Sequence, residues 1–183
     1  MKVDLYKEEH IISGCQKGDR RFQEILYRQF APKMYGICIS YAGDRALAQD
    51  MLQEAFVKVF KNIKQFKGEG SFEGWIRRIV VNTSIDTVRK TGNINKLTVE
   101  SDSPKANSQF TDNLALPNMQ LKELMGYISK LPEGARVIFN LFALEGYTHK
   151  EIARELNISE GTSKSQYNRA RGMLQDWLGK LND

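Results

Sequence analysis

The sequence predicts an all-α fold in which two helical domains are joined by a flexible linker. Three observations predict it. Apolar residues recur at three- and four-residue spacing through most of the 183 positions, the period of a buried helix face. There are only four prolines, and no run alternates Val, Ile or Thr with polar residues, which argues against a sheet. Residues 92–118 lose the period and become rich in Asn, Ser, Thr and Asp, as a linker does. A flexible coil of that length spans roughly 30 Å. The domains are therefore residues 1–91 and 119–183.

The first domain reads as four helices. Glu8 to Gln16 forms a short one, ended by Lys17-Gly18-Asp19. Asp19 caps the next, Arg20 to Tyr41, with Phe22, Ile25, Leu26, Phe30, Met34, Ile37 and Cys38 on its apolar face. Pro32 falls inside it and is expected to kink it or split it in two. Asp44 caps a third helix to Ile63, with Ala48, Leu52, Ala55, Phe56, Val59 and Ile63 inward. Asp50, Gln53 and Glu54 make an acidic and amide patch on another face. That patch fits either an ordinary solvated face or a docking site for a basic partner. After the glycine-bearing loop Phe66 to Gly70, Ser71 caps a fourth helix that reaches about Lys90. Arg78, Asn82, Ile85 and Arg89 fall along one stripe of it, with Trp75 at the N-terminal end. A stripe of basic, amide and aromatic groups suits phosphate contact and stacking on unpaired bases. A core tryptophan with solvated arginines fits the same pattern.

The second domain begins with a helix from Met119 to Lys130, broken at Leu131-Pro132. Pro132 then opens a helix whose core face is Val137, Ile138, Leu141, Phe142 and Leu144, and Gly146 ends it. Next comes helix-turn-helix grammar from Tyr147 to Leu174. Thr148 and Glu151 form a capping box, and Asn157 sits where the turn needs a left-handed residue. Ser159 caps a second helix that carries Lys164, Arg169 and Arg171 and has no acid from Gly161 to Gln175. Such a helix enters a DNA major groove. Thr162, Lys164, Ser165, Gln166, Asn168, Arg169 and Arg171 are its polar set. Those near its N-terminus are placed for base edges, while Arg169 and Arg171 suit phosphate. Ser163 falls where an inward Val or Ile is usual. A Ser there forfeits about 1–2 kcal/mol of apolar burial unless its hydroxyl bonds back to the backbone.

The net charge is +5, and residues 1–91 hold 16 Lys and Arg against 11 Asp and Glu. The basic excess thus lies in the first domain, and a polyanionic partner is expected. Cys15, Cys38, His10 and His149 stand in no metal spacing, so neither metal nor cofactor is expected. No nucleophile with a base at recognisable spacing and no Gly-rich phosphate loop is present, which argues against an enzyme. No secretory leader or membrane span is read, so a cytoplasmic location is expected. A dimeric transcriptional regulator is the rival class, but residues 1–91 offer it no ligand-pocket signature.

Three blocks carry a family resemblance. AQDMLQEAFVKVFKNIKQF resembles conserved sigma region 2.2, and FKGEGSFEGWIRRIVVNTSIDTVRK resembles regions 2.3 and 2.4. LPEGARVIFNLFALEGYTHKEIARELNISEGTSKSQYNRAR resembles region 4, while Phe22 to Tyr41 is similar to region 2.1. In this order they resemble an extracytoplasmic-function (ECF) sigma factor of the sigma-70 family. The resemblance implies that Asp50, Gln53 and Glu54 dock on the β′ coiled coil of core RNA polymerase. It implies that Phe66, Ser71, Phe72, Trp75, Arg78, Asn82 and Arg89 engage the −10 element of promoter DNA and help to melt it. It assigns the −35 element to Ser159, Thr162, Lys164, Ser165, Gln166, Arg169 and Arg171, with the β flap as a further contact. It also admits an anti-sigma factor as partner, and implies no small-molecule substrate. Ser163 departs from the family's usual Val, and Gln166 and Tyr167 differ from the Arg or Leu common there.

Overall fold

The computed structural model describes residues 7–90 and 119–179, and they form an all-α chain in two domains. The expected linker, residues 92–118, lies outside the described residues. Four helices make the first domain: α1 (Glu8–Gln16), α2 (Arg20–Ala42), α3 (Arg45–Asn62) and α4 (Phe72–Lys90). Each helix after the first starts at the cap its sequence offers. The Asp19 carboxylate accepts the Arg21 N–H at 2.9 Å, and Asp44 accepts that of Leu47 at 2.8 Å. The Ser71 hydroxyl accepts the Gly74 N–H at 3.2 Å.

Helices α2, α3 and α4 pack on one another, and α1 lies against α2. Gly14 permits that last contact, since a Cβ there would lie 2.2 Å from the Phe22 ring. Leu26, Met34, Met51, Val59, Ile76 and Val80 are fully buried between the helices. Pro32 does not split α2, which runs unbroken for 23 residues. Pro32 is exposed, so the amide bond it lacks is missing on the solvent side, while Phe30, Ala31 and Met34 anchor the buried side.

The second domain holds α5 (Met119–Lys130), α6 (Glu133–Phe139), α7 (His149–Leu156) and α8 (Glu160–Gly179). Pro132 is the cap of α6 rather than its first residue, with extended backbone at φ −51° and ψ 142°. Beyond Phe139 the helix widens into a π turn over Asn140–Leu144, with the Glu145 N–H on the Asn140 carbonyl at 3.0 Å. Ile128, Leu131, Ala135, Ala170 and Leu174 form a small core of their own.

Val137, Ile138, Leu141, Ile152 and Leu156 instead belong to the same apolar cluster as the first domain. The two domains therefore pack together, with α5 and α6 against α2. Arg136 centres this junction. It is buried, and its guanidinium donates to the carbonyls of Tyr41 (3.3 Å), Ala42 (3.2 Å), Ser129 (3.3 Å) and Leu131 (2.9 Å). Burial pushes the guanidinium down from its ordinary value, but arginine remains a cation in proteins. Gly43 closes α2 at φ 73°, and a Cβ on it would meet Arg136 at 2.5 Å. Beside Arg136, the Asn140 amide donates to the Ser40 carbonyl at 2.6 Å.

Arg136→Met should loosen this junction. Each buried carbonyl left without a donor costs about 1–3 kcal/mol, and separation of the domains hydrates the carbonyls again. Small-angle scattering should show a larger radius of gyration for the variant than for the wild-type chain, with helix content by circular dichroism unchanged.

Candidate nucleic-acid interface

Three exposed surfaces carry the residues that the sequence singles out. The first is on α3. Asp50 and Gln53 are exposed and Glu54 is half-buried. Glu54 is not a bare acid, because Lys58 Nζ lies 3.1 Å from its carboxylate and 3.6 Å from that of Asp86. Val57 stands in the same patch, one turn on from Gln53 and Glu54, and is 51% exposed. The patch is thus acidic, amide and apolar together. Val57 escaped the sequence reading, although its position off the inward face was the available signal.

The second surface is the start of α4 and the loop before it. Phe66, Phe72 and Trp75 form one aromatic group, with Phe72 and Trp75 stacked at 5.8 Å and Phe66 at 5.0 Å from Phe72. Phe72 is 1% exposed and meets Phe30 edge-on at 5.7 Å. This corrects its placement as a DNA contact, because the ring has no face left to offer and serves as the floor of the loop. Phe66 is 9% exposed, and Trp75 keeps a larger accessible part. Ser71 is exposed, with its hydroxyl engaged in the cap.

Gly68 and Gly70 both sit at positive φ (80° and 82°), where other residues are strained. A residue from far up the chain holds the base of this loop. The Gln16 amide donates to the carbonyls of Ile63 and Phe66, each at 3.2 Å. Nothing local in the sequence could have revealed a bond across 47 to 50 positions.

Further along α4, Arg78, Asn82 and Arg89 are exposed on one side. Ile85, placed in their stripe by spacing, is 2% exposed and belongs to the core. The stripe therefore follows the edge of the packed face. Arg89 reaches Asp86 at 3.5 Å and Glu155 of α7 at 3.2 Å. Arg77, absent from the sequence-based set, forms a two-pronged pair with Glu145 at 2.7 and 3.1 Å, and hydrogen bonding to Glu145 raises its pKa.

The third surface is α7 and α8. Thr148 and Glu151 form the expected capping box. Glu151 accepts the Thr148 N–H at 2.8 Å and its hydroxyl at 2.7 Å, and the Glu151 N–H returns to the hydroxyl at 3.2 Å. Asn157 takes the left-handed turn at φ 54°. Ser159 accepts the Thr162 N–H at 2.9 Å and shares a hydroxyl contact with Thr162 at 2.9 Å, so both hydroxyls serve the helix start. Lys164, Ser165 and Arg171 are exposed, and Thr162, Gln166 and Arg169 are half-buried. Ser163 is 0% exposed, and its hydroxyl meets His149 Nδ1 at 2.9 Å rather than a backbone carbonyl.

Burial pushes the Cys15 thiol up to about 11 and that of Cys38 to about 12, which leaves neither as a nucleophile near neutral pH. Among the described residues no three His, Cys, Asp or Glu side chains gather as a metal site, and no helix is long and apolar enough to cross a membrane. The chemistry this arrangement offers is recognition: cations, amides and hydroxyls on exposed helix faces.

Residues 26–94 match the family Sigma-70 region 2, and residues 121–174 match Sigma-70, region 4. The chain is similar to the ECF RNA polymerase sigma factor SigM of Bacillus subtilis, at 30% identity over 153 residues, covering 82% of this chain and 91% of that protein. It is also similar to the ECF RNA polymerase sigma factor SigE of Mycolicibacterium smegmatis, at 31% identity over 157 residues and 85% of this chain. The matched part is 61% of that relative's length. Among solved structures, the sigma factor RpoE of Bartonella quintana, crystallised with the anti-sigma factor NepR, aligns over 85% of this chain and 96% of that one. That alignment has a TM-score of 0.47 and 21% identity.

The capping box should give the second domain a pH dependence. Bonds from the Thr148 N–H, then from its hydroxyl, hold the Glu151 carboxyl below its ordinary value. A depressed carboxylate stabilises the fold above its unfolded pKa and ceases to as pH falls through the folded one. Glu151→Ala should therefore melt below wild type at pH 7, and the gap should narrow as the pH drops below the usual carboxylate range. A gap unchanged by acid would show that the carboxylate charge plays no part.

Proposed function

Because the chain belongs to the sigma-70 family and is an RNA polymerase sigma factor of the ECF class, we propose that it docks on core RNA polymerase through α3 and brings it to promoters through α4 and α8. Sigma factors are initiation factors, not enzymes. Asp50, Gln53 and Glu54, with Val57 among them, supply the docking patch on the β′ coiled coil. Acids at its rim select a basic partner, and the exposed valine gives apolar area to bury.

One observation carries the DNA reading. Exposed Arg78 and Asn82 lie just beyond a glycine-bearing loop whose floor is Phe66, Phe72 and Trp75. That combination suits the −10 element: guanidinium for phosphate, amide for base edge, and a ring-lined loop for an unstacked base. Trapping an unpaired base there lowers the free energy of the open duplex relative to the closed one. The exposed start of α8 is presented to the −35 element as duplex, with Lys164 and Ser165 near base edges and Arg171 on phosphate. In the packed arrangement Arg89 is held by Glu155, so its use on phosphate requires that pair to exchange partners. Weak contacts at two elements suffice when both are held on one polymerase.

Run-off transcription with purified core polymerase tests this reading. Core plus this chain should give discrete transcripts from promoter fragments where core alone does not. Binding of duplex sites by the chain alone, with no transcripts, would overturn it. Glu54→Lys should weaken core binding about tenfold or more, as seen in a competition assay, because it inverts a charge at the docking patch. Asn82→Ala should bind core as wild type does, yet open the promoter several-fold less, as read by permanganate footprinting. Equal opening would remove Asn82 from the melting role.

A further inference from the structure

The described residues bury five serine and threonine hydroxyls, and four of them follow one rule. Ser40, Thr83, Ser84 and Ser129 each donate to a carbonyl of their own helix, at 2.7 to 2.9 Å. That is the usual way a helical hydroxyl is satisfied in an apolar setting. Ser163 breaks the rule. It lies on α8 and its partner is His149 Nδ1, on the first turn of α7.

His149 makes a second contact with α8. Its ring stacks on Phe142 of the π turn at 4.4 Å and meets Tyr167 edge-on at 5.8 Å. Tyr167 in turn lies 4.5 Å from Phe142 and stacks on Phe139 at 6.0 Å. Ser163 and Tyr167 are four residues apart, hence on one face of α8. His149 thus touches α8 twice, one turn apart. A directional hydrogen bond fixes rotation and rise of one helix on another in a way that an apolar contact does not.

We propose that His149 is a positioning residue for DNA recognition: its bond to Ser163 and its ring contact with Tyr167 set α8 on α7, and so aim the exposed start of α8 at the −35 duplex. The proposal rests on the reading of α8 as the −35 helix. Ser163 and Tyr167, on one face of α8, then answer to one partner. Both are shaped to His149. A valine at position 163 would face an imidazole nitrogen with nothing to bond.

A double-mutant cycle in the full chain on core polymerase tests it. His149→Phe keeps a ring on Phe142 and removes the hydrogen bond. Ser163→Val removes the other partner. The readout is affinity for a promoter fragment against one with the −35 element scrambled, measured well below each variant's melting temperature. Each single change should reduce −35 discrimination about tenfold, and the double variant should return to within about threefold of wild type. Losses that multiply in the double variant, or no loss in either single variant, would overturn the proposal. Core affinity should stay constant across the four chains, which separates aiming from docking. If the wild-type chain itself does not discriminate the −35 element, the reading of α8 fails. The positioning role is then judged by hydrogen exchange of the α8 amides in the same four chains. Coupled protection supports it there and additive protection sinks it.

Discussion

A buried guanidinium that donates to backbone carbonyls holds the two domains together. Arg136 is satisfied by backbone carbonyls alone in the described contacts, two at the end of α2 and two around the end of α5. Helix C-termini are where such carbonyls lack amide partners and where the backbone dipole is negative. One cation therefore answers two helix ends at once, the α5 end in its own domain and the α2 end in the first. This is possible because Gly43 turns away from α2 without a Cβ. At the same junction Tyr41 Oη and Asn140 Oδ1 are buried with no hydrogen-bond partner among the described residues. Burial pushes the Tyr41 phenol up, and Glu145 across the junction adds to that shift.

Charge follows the same line. The first domain holds the basic excess, and part of it is answered by acids of the second: Arg77 by Glu145 and Arg89 by Glu155. The two pairs are unequal. Glu145 is only 11% exposed and takes Arg77 with both oxygens, whereas Arg89 and Glu155 are both more than 40% exposed. Exposed pairs contribute about 0–1 kcal/mol, so Arg89 can leave its carboxylate for a phosphate with little loss. Arg77 cannot leave so easily, and its place in the molecule is the junction rather than the DNA.

Much of this fold was legible because it is local. Asp19, Asp44, Ser71, Thr148 and Ser159 cap the helices they precede, each through a bond to an amide two or three residues on. Asn157 takes the left-handed turn for the same local reason. What escaped is what spans the chain. The Asn140 bond to Ser40 crosses 100 positions and the Arg136 bonds to α2 cross 94 or 95, so no window of sequence contains both partners. Phe72 is assigned to DNA only by the family resemblance, and Phe30 of α2, in a different helix, closes over its ring. Ser163 looked like a weak point because its partner, His149, is 14 residues back in another helix.

The boundary between the apolar cores does not follow the boundary between the domains. Val137, Ile138, Leu141, Ile152 and Leu156 share a cluster with α2, α3 and α4, while among the described residues the second domain's own core has five buried side chains. Burial is worth about 25 cal/mol per Å² wherever it occurs, so these side chains are stabilised by whatever apolar surface covers them. In the packed chain the first domain contributes to that cover. If the domains part on polymerase, the inner face of α6 and α7 either closes on itself or meets a surface of the polymerase. The helix-turn-helix is thus tied on its inner side to a cluster it shares, and its outer side is the one proposed to meet DNA. His149 lies between the two. Its ring rests on Phe142, which packs against the shared cluster, and its nitrogen holds α8. Whatever fixes Phe142 therefore also fixes the angle at which α8 is offered.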